Sequence, residues 1–450
     1  LGKGKRWRPV GLAIDMALMA ATASACAYVV VNYDRIMLSP VLSGEKAYED
    51  IIIHDDAWYE EHGVTLLKGK KVVEIDRADR KVIAEDGTTA EYDKLLIATG
   101  SSPFVIPVPG NDLEGVVTYR DLDDVDAMLK TAKGGGHAVV IGGGLLGLEA
   151  AYGLKRQGME VTVLHLMPTL MERQLDPSAG YLLEKALVER DIKIITRANT
   201  QEITGADGKV TGVTLEDGTE LPADIVVMAV GIRPSAQLAD DAGLETGRGI
   251  LVDDHMVTSD PDILAVGECV EHRGQCYGLV APLYDMAKVI ATNLAGDASA
   301  EYTGSVTATK LKVTGIDLYS AGDFAEADDR EEIVLRDATG GIYKRLVLKD
   351  NKIIGAVLYG DTADGAWFFD LLKKETDISE MRETLIFGQA YAGGSPLDPT
   401  AAVAALPDDA EICGCNGVCK SKIVGAITEH GLTSLDEVRA RTKASASCGS

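Results

Sequence analysis

The stretch that most restricts the fold is Gly142-Gly143-Gly144-Leu145-Leu146-Gly147, a GxGxxG pattern set between a strand-like and a helix-like segment. Upstream, His137–Ile141 reads as a strand; downstream, residues 148–157 read as a helix and 159–164 as a second strand. In such a βαβ unit each glycine has its own physical task. Gly142 permits the tight turn, Gly144 lets the backbone approach a pyrophosphate, and Gly147 allows helix and strand to touch. The helix N-terminus then faces the phosphate charge. Alone the pattern could be a structural turn. In this context it specifies a dinucleotide-binding half of a parallel α/β sheet.

The residue ending the second strand normally reports the ribose. An acid accepts from a 2′-hydroxyl, whereas an arginine accommodates a 2′-phosphate. Here the position is His165, which is neither, and the nearest downstream cation is Arg173. This position singles out neither NADH nor NADPH.

Three other fragments have a related shape. Leu96-Ile97-Ala98-Thr99-Gly100 and Met228-Ala229-Val230-Gly231 are apolar strands ending in small residues and a glycine, as a close backbone approach to a cofactor requires. The third runs from Thr258 to Gly267-Glu268 and places an acid directly after a strand-end glycine, positioned to accept from a ribityl hydroxyl. Each could be a plain core strand; their order along one chain is the informative part. Further strands are expected at 71–76, 81–84, 94–99, 209–215 and 225–230, with a turn at Glu85-Asp86-Gly87 and a mostly antiparallel α+β segment over 305–360.

Composition narrows the function class. The chain has 450 residues, enough for about three domains. Its 44 Lys+Arg stand against 70 Asp+Glu, a net charge of −26 that argues against a nucleic-acid partner, since a polyanion is repelled. Apolar residues at 46% and charged residues at 25% are ordinary globular usage, and 48 Gly with 5% aromatics suits an α/β protein. The seven His form no HxxxH or HExxH pair and are expected to be structural.

Of the seven Cys, four (Cys413, Cys415, Cys419 and Cys448) fall within the last 38 residues, beyond a linker at Pro407-Asp408-Asp409. A local cluster in a long acidic chain points to a metal or iron–sulfur site in a reducing, cytoplasmic setting rather than to a disulfide framework. Structural zinc is the competing occupant. Short helices are expected at 422–429 and 434–441, capped by Thr433 or Ser434. Cys269 and Cys276 read as bystanders, and Cys26 stands alone, so no CxxxxC redox pair is present.

The order ATG, GxGxxG, AxG and then T…GE resembles the flavoprotein reductases that bind FAD and NAD(P)H on separate Rossmann-like domains. Within that group, residues 32–45 (NYDRIMLSPVLSGE) and 165–177 (HLMPTLMERQLDP) resemble the N-terminal reductase part of the NAD(P)H-dependent nitrite reductase large subunits. The likeness covers residues 32–450. It implies that Arg35 and Ser39 lie beside the flavin and that the backbone at Val72 meets the adenine. Ala98, Thr99, Gly100 and Arg120 would line the FAD pyrophosphate region, with Gly231, Gly267 and Glu268 at the remaining FAD contacts. Gly142, Gly144, Gly147 and His165 would serve NAD(P)H. Cys413-Gly414-Cys415, a spacer of 32 residues and Cys448 resemble the bacterioferritin-associated-ferredoxin-like [2Fe–2S] module, CxC then CxxC. Cys413, Cys415 and Cys448 match three of its ligands, and the fourth position would be residue 451. Cys419 falls where that module has no ligand, though it could substitute.

The expected architecture is therefore α/β with two Rossmann-like domains, then an α+β domain and a small helical [2Fe–2S] module. Residues 1–118 would form the first part of an FAD domain, 119–236 an NAD(P)H domain, 237–300 the second part of the FAD domain, 301–404 the α+β domain and 408–450 an incomplete cluster module. Residues 1–31 are anomalous. They have the length of the missing FAD fingerprint but no GxGxxG after a strand, and a basic start at Lys3–Arg8 precedes an Ala-rich run interrupted by Asp15. A reading-frame error upstream of Asn32 is the preferred explanation; divergence or a leader segment are the others. No other segment reaches membrane-spanning length, so no membrane partner is expected.

By the same resemblance, hydride passes from NAD(P)H to FAD and single electrons pass to the cluster. They continue toward a sirohaem and [4Fe–4S] site on a downstream domain, or to a small redox subunit. No side chain is required as a nucleophile, so no catalytic residue is assigned, and a homodimer is compatible with the pattern. The rival functions are a free-standing NAD(P)H:ferredoxin or rubredoxin reductase and a non-catalytic flavin and iron–sulfur electron-transfer binding protein.

Overall fold

Residues 137–165 fold as their pattern requires, because a strand buried on both faces can be apolar throughout only within a covered parallel sheet. In the computed structural model, His137–Ile141 pairs in parallel with Glu160–His165 and with Ile225–Met228, and Ala138, Val139 and Val140 are at most 1% exposed. The structure describes residues 32–311, 313, 315–337, 339–392, 404, 406–413 and 418–444. The described residues form two units: those within 1–38, 46–104 and 231–305 make the first, and those within 39–45, 105–230 and 306–450 the second.

The second unit contains the glycine turn. Its parallel sheet has the strand order Val116–Thr118, Ile225–Met228, His137–Ile141, Glu160–His165 and Ile192–Thr196. The edge strand Val116–Thr118 lies before the boundary expected at residue 119, yet it pairs with Ile225–Met228. Three residues carry too little pattern to show which sheet they join. Leu122–Ala132, Leu145–Arg156 and Pro177–Val188 are the accompanying helices. Asp121 caps the first by accepting from Asp124 N–H, and Asp176 caps the third by accepting from Ser178 N–H, with Pro177 following it. An antiparallel meander, Thr200–Ala206, Lys209–Leu215 and Glu220–Pro222, shares a core of Val139, Ile141, Ile203, Val213, Leu215 and Val226.

The helix after the turn begins at Leu145, not at residue 148 as the sequence suggested. Gly147 therefore lies inside its first turn. A helical glycine costs about 1 kcal/mol against alanine. Here a Cβ would sit 1.9 Å from the Gly142 carbonyl oxygen, so only glycine fits.

The same unit carries the antiparallel sheet expected near 305–360. Its order is Ala308–Lys310, Leu318–Gly322, Lys352–Tyr359, Ile342–Lys349 and Glu331–Asp337, and the helix Gly365–Lys373 packs on it through fully buried Phe368. Tyr343 donates to Asp176 Oδ2 at 2.9 Å and Tyr359 to the Leu182 carbonyl at 3.2 Å, which ties this sheet to the helix Pro177–Val188. The tail forms a short hairpin, Glu411–Cys413 against Val418–Cys419, then helices Lys420–His430 and Leu435–Thr442.

In the first unit Leu95–Ile97 pairs in parallel with Ile263–Ala265, and Val72–Asp76, Lys81–Ala84 and Thr89–Glu91 form a meander. The helix Val280–Leu294 places Leu283, Met286, Ala287 and Ile290 in a core with Ile97, Ile263 and Val266. Among the described residues no helix is long and apolar enough to cross a membrane.

Candidate functional site

The glycine turn is built by backbone contacts that exclude side chains. Gly142 has φ +124°, a conformation L-residues rarely adopt, and a Cβ there would lie 2.3 Å from the Ala229 carbonyl oxygen. Gly144 differs. A Cβ on it would meet nothing within 4 Å, so this face of the turn is open. Gly144 is also the N-cap of Leu145–Arg156, and no side chain caps that helix. An uncapped helix N-terminus of twelve residues beside open space fits the pyrophosphate of a dinucleotide.

His165 stands at the end of the second strand as expected, but its ring faces inward and is 8% exposed. Gly143 N–H donates to its Nδ1 at 3.0 Å. Nε2 therefore carries the proton and donates to the Thr169 carbonyl and to Glu172 Oε2, each at 3.0 Å. Met171 N–H donates in turn to the Gly143 carbonyl at 3.0 Å. Gly143 is thus held on one side by the strand-end ring and on the other by the loop that follows the strand. The sequence pattern leaves that middle position unspecified, and Gly143 and Glu172 were not singled out from it; an acid soon after a strand end that lacks one was the available signal.

In the first unit, Arg35, Ser101 and Glu268 form one buried group. Arg35 Nη2 donates to Glu268 Oε1 and Ser101 Oγ to Glu268 Oε2, both at 2.6 Å, and Glu268 is only 4% exposed. Gly267 and Gly100, at φ +97° and +65°, shape the two strand ends. Thr99 Oγ1 donates to the Ser235 carbonyl at 2.6 Å, and the Gly100 carbonyl accepts from Ser235 N–H at 2.9 Å. Gly231, at φ +114°, accepts from Phe104 N–H, next to the ladder between Ile232–Pro234 and Ser101–Pro103. Ala98 is half-buried, as is Val72 at the start of its meander strand. These placements fit a flavin nucleotide at the residues described; residues 1–31, which stand where an FAD fingerprint is expected but carry no GxGxxG, lie outside them.

Ser39 and Arg120 belong to the second unit. Ser39 Oγ donates to Glu149 Oε2 in a short hydrogen bond and accepts from Tyr119 OH at 2.9 Å. Glu149 sits on the helix Leu145–Arg156 and is 5% exposed, a buried acid that sequence patterning did not reveal. Arg120 is buried, and its N–H donates to Asp124 Oδ2 at 2.6 Å. Burial pushes the Asp124 carboxyl up to about 6, against a donor in Thr118 Oγ1 at 2.9 Å.

Of the three expected cluster ligands, only Cys413 is among the described residues; Cys415 and Cys448 lie outside them. Cys413 is a buried thiol packed with Val418, Ala444 and Ile423. Cys419 Sγ lies 3.2 Å from Ser421 Oγ. Among the described residues no group of three or more metal-binding side chains occurs, so the fit to [2Fe–2S] rests on Cys413 and on the CxC…C spacing. Cys269 is fully buried, donates to the Val266 carbonyl at 3.2 Å, and has its thiol pushed up by burial, which suits an inert core residue.

Comparison with known proteins identifies the domains. Residues 13–285 match the pyridine nucleotide-disulphide oxidoreductase family, 308–376 the rubredoxin NAD+ reductase C-terminal domain, and 411–450 the BFD-like [2Fe–2S] binding domain. The chain is 48% identical to a nitrite reductase [NAD(P)H] of Bacillus subtilis, over 93% of this chain and 51% of that protein. It is 42% identical to an assimilatory nitrate reductase electron transfer subunit of the same organism, over 93% of this chain and 53% of that protein. The chain thus spans about half the length of these curated relatives. The crystal structure of NADH:rubredoxin oxidoreductase from Clostridium acetobutylicum superposes with a TM-score of 0.66 at 28% identity, covering 82% of this chain and 94% of that one. Fold and matched domains together make this chain an oxidoreductase whose cofactors are FAD, NAD(P)H and a [2Fe–2S] cluster. It belongs to the pyridine nucleotide-disulphide oxidoreductase family.

Proposed function

We propose that this chain is the electron-input half of an assimilatory-type nitrite reductase, taking reducing equivalents from NAD(P)H and delivering them one at a time toward a sirohaem site on a separate domain or a small redox subunit. The observation that carries the proposal is the BFD-like match at residues 411–450 joined to a reductase in one chain, since a reductase serving a free carrier needs no cluster of its own. FAD and the nicotinamide supply hydride exchange when bound, and the cluster supplies one-electron transfer.

The chain's own residues bind, orient and shield. Gly142, Gly144 and Gly147 set the backbone so that the N-terminus of Leu145–Arg156 meets the nicotinamide nucleotide's phosphates. Gly100, Gly267 and Glu268 would hold FAD, with the backbone at Val72 near the adenine. Arg35 and Ser101 fix the orientation of the Glu268 carboxylate, which would face the ribityl chain. Cys413, Cys415 and Cys448 would supply thiolates to the cluster. No residue is asked to act as an acid or base. The proposed domain limits remain those read from the sequence, with Val116–Thr118 reassigned to the nucleotide sheet. A reducing, cytoplasmic location accords with thiolate ligation, and a homodimer would show directly in the solution mass.

A second reading, NAD(P)H:rubredoxin reductase, is favoured by the match of residues 308–376 to the rubredoxin NAD+ reductase C-terminal domain. One experiment separates them. The purified chain, loaded with FAD under anaerobic conditions, is mixed with NADH or NADPH and offered ferricyanide, rubredoxin, or a sirohaem domain of a nitrite reductase. Turnover with ferricyanide and reduction of the sirohaem domain are expected, with Cys413→Ser losing the second but not the first. Rubredoxin as the preferred acceptor would favour the second reading. Failure to bind flavin, or no ferricyanide reduction, would refute both.

A further inference from the structure

We infer that Glu172, held in place by His165, is the carboxylate that recognises the adenosine ribose diol, and that it makes this site selective for nucleotides without a 2′-phosphate. The inference rests on the reading of the glycine turn as the NAD(P)H site and deepens it. In a Rossmann unit the side chain ending the second strand is the one that meets the ribose. Here that side chain is an imidazole whose two nitrogens are both committed. Nδ1 accepts from Gly143 N–H at 3.0 Å, so its lone pair is used. Nε2 donates to the Thr169 carbonyl and to Glu172 Oε2, so its hydrogen is used. A ribose hydroxyl needing an acceptor finds none on the ring.

The ring instead passes the task one hydrogen bond outward. Glu172 lies against the strand-end side chain and its side chain is 30% exposed, so it is both anchored and reachable. Its position is fixed by more than that one bond. Met171 N–H donates to the Gly143 carbonyl at 3.0 Å, and Leu170 and Met171 are fully buried. A Cβ on Gly143 would lie 2.6 Å from Leu170 Cδ2 and 2.7 Å from His165 Cγ, so loop and ring are packed directly on the turn. The carboxylate at residue 172 is therefore pre-set relative to the glycines that would hold the pyrophosphate. A carboxylate can accept from both hydroxyls of a vicinal diol. The same charge repels a 2′-phosphate carrying about −1.5 to −2 at neutral pH. Arg173 and Arg197 are exposed on neighbouring segments and are the cations that would compete for such a phosphate. Neither is bonded to the strand-end residue, whereas Glu172 is.

The test is calorimetric titration of the full chain with ADP-ribose and with 2′-phospho-ADP-ribose, probes that need neither flavin nor turnover. The wild-type chain is expected to bind ADP-ribose at least tenfold more tightly. Glu172→Gln keeps an acceptor for His165 Nε2 but removes the charge, and should cut that preference at least fivefold. Glu172→Lys should reverse it. Both substitutions are at a partly exposed side chain, and thermal melts confirm that each variant folds. A wild-type preference for the phosphorylated probe, pointing to Arg173 and Arg197, would overturn the inference. So would an unchanged ratio in both variants. If neither probe binds the wild-type chain, the glycine turn is not a nucleotide site and the reading beneath the inference falls with it.

Discussion

Two glycines two residues apart should respond to alanine in opposite ways. Gly142→Ala puts a side chain on a residue at φ +124° and 2.3 Å from the Ala229 carbonyl oxygen, with the carbonyl carbon at 2.7 Å. Backbone strain in that region costs about 1–3 kcal/mol. Forcing a methyl against backbone that cannot rotate away costs about 1–3 kcal/mol more. The lower entropy of the unfolded alanine chain returns about 0.4–1 kcal/mol, leaving a net loss on the order of 3 kcal/mol. Gly144→Ala meets nothing within 4 Å and has φ −85°. Its cost is the poorer N-cap, roughly 0.5–1 kcal/mol before the same entropic return. The fold should hardly notice. ADP-ribose affinity should nevertheless fall at least tenfold, about 1.4 kcal/mol, because the methyl occupies the side from which the pyrophosphate approaches. Denaturant unfolding followed by near-ultraviolet circular dichroism measures the first effect, and calorimetry the second. A stable Gly142→Ala would refute the geometry of the turn. A Gly144→Ala chain that binds ADP-ribose as tightly as wild type would refute the assignment of the open face to phosphate.

Other perturbations test other parts of the chain. Asp124 has its carboxyl raised to about 6 by burial, above the unfolded value near 3.8, so the folded state binds more protons between those values. Its contribution is present below the unfolded pKa and lost as pH rises through about 6. Asp124→Asn should therefore gain stability relative to wild type as pH is raised from 4 to 6.5, read as a growing difference in melting temperature; a constant difference would contradict the buried placement. Phe368→Ala, at a fully buried position under the helix Gly365–Lys373, should cost about 3–5 kcal/mol, with hydrogen exchange in that helix accelerated and ADP-ribose binding retained. Ser434→Ala breaks a capping box in which Ser434 Oγ accepts from Glu437 N–H and Glu437 accepts from Ser434 N–H. It should destabilise Leu435–Thr442 by about 1 kcal/mol, visible as faster exchange confined to that helix.

What the sequence revealed and what it hid follow from how far each feature reaches along the chain. The βαβ unit was legible because its constraints are local: an apolar strand, a glycine turn and a helix in immediate succession. Even there the helix start was misplaced, because a glycine read as part of the turn, Gly147, is helical and is required by a contact with Gly142. Val116–Thr118 was assigned to the wrong side of a boundary because its partner, Ile225–Met228, is more than a hundred residues away. Three residues cannot announce a parallel pairing of that span.

The site divides along the same line. Glu268 was identified from its place after a strand-end glycine, whereas its clamps from Arg35 and Ser101 join residues separated by 233 and 167 positions. Glu149 is the clearest case of a hidden acid: within a helical stretch it resembles a solvated residue, whereas in the fold Ser39, itself bonded by Tyr119, returns to that helix and donates to it. His165 was recognised as a departure from the ribose-reading pattern, but not as a ring with both nitrogens already spent. That depends on the loop 166–172 folding back so that Met171 reaches Gly143. The departure and the loop are one device. A strand-end acid can meet a ribose directly, whereas a strand-end imidazole bonded to the glycine turn must be paired with an acid further along, and the loop's length and buried Leu170 and Met171 deliver one. Without that loop the ring's Nε2 would lose both Thr169 and Glu172, and no carboxylate would stand beside the strand end.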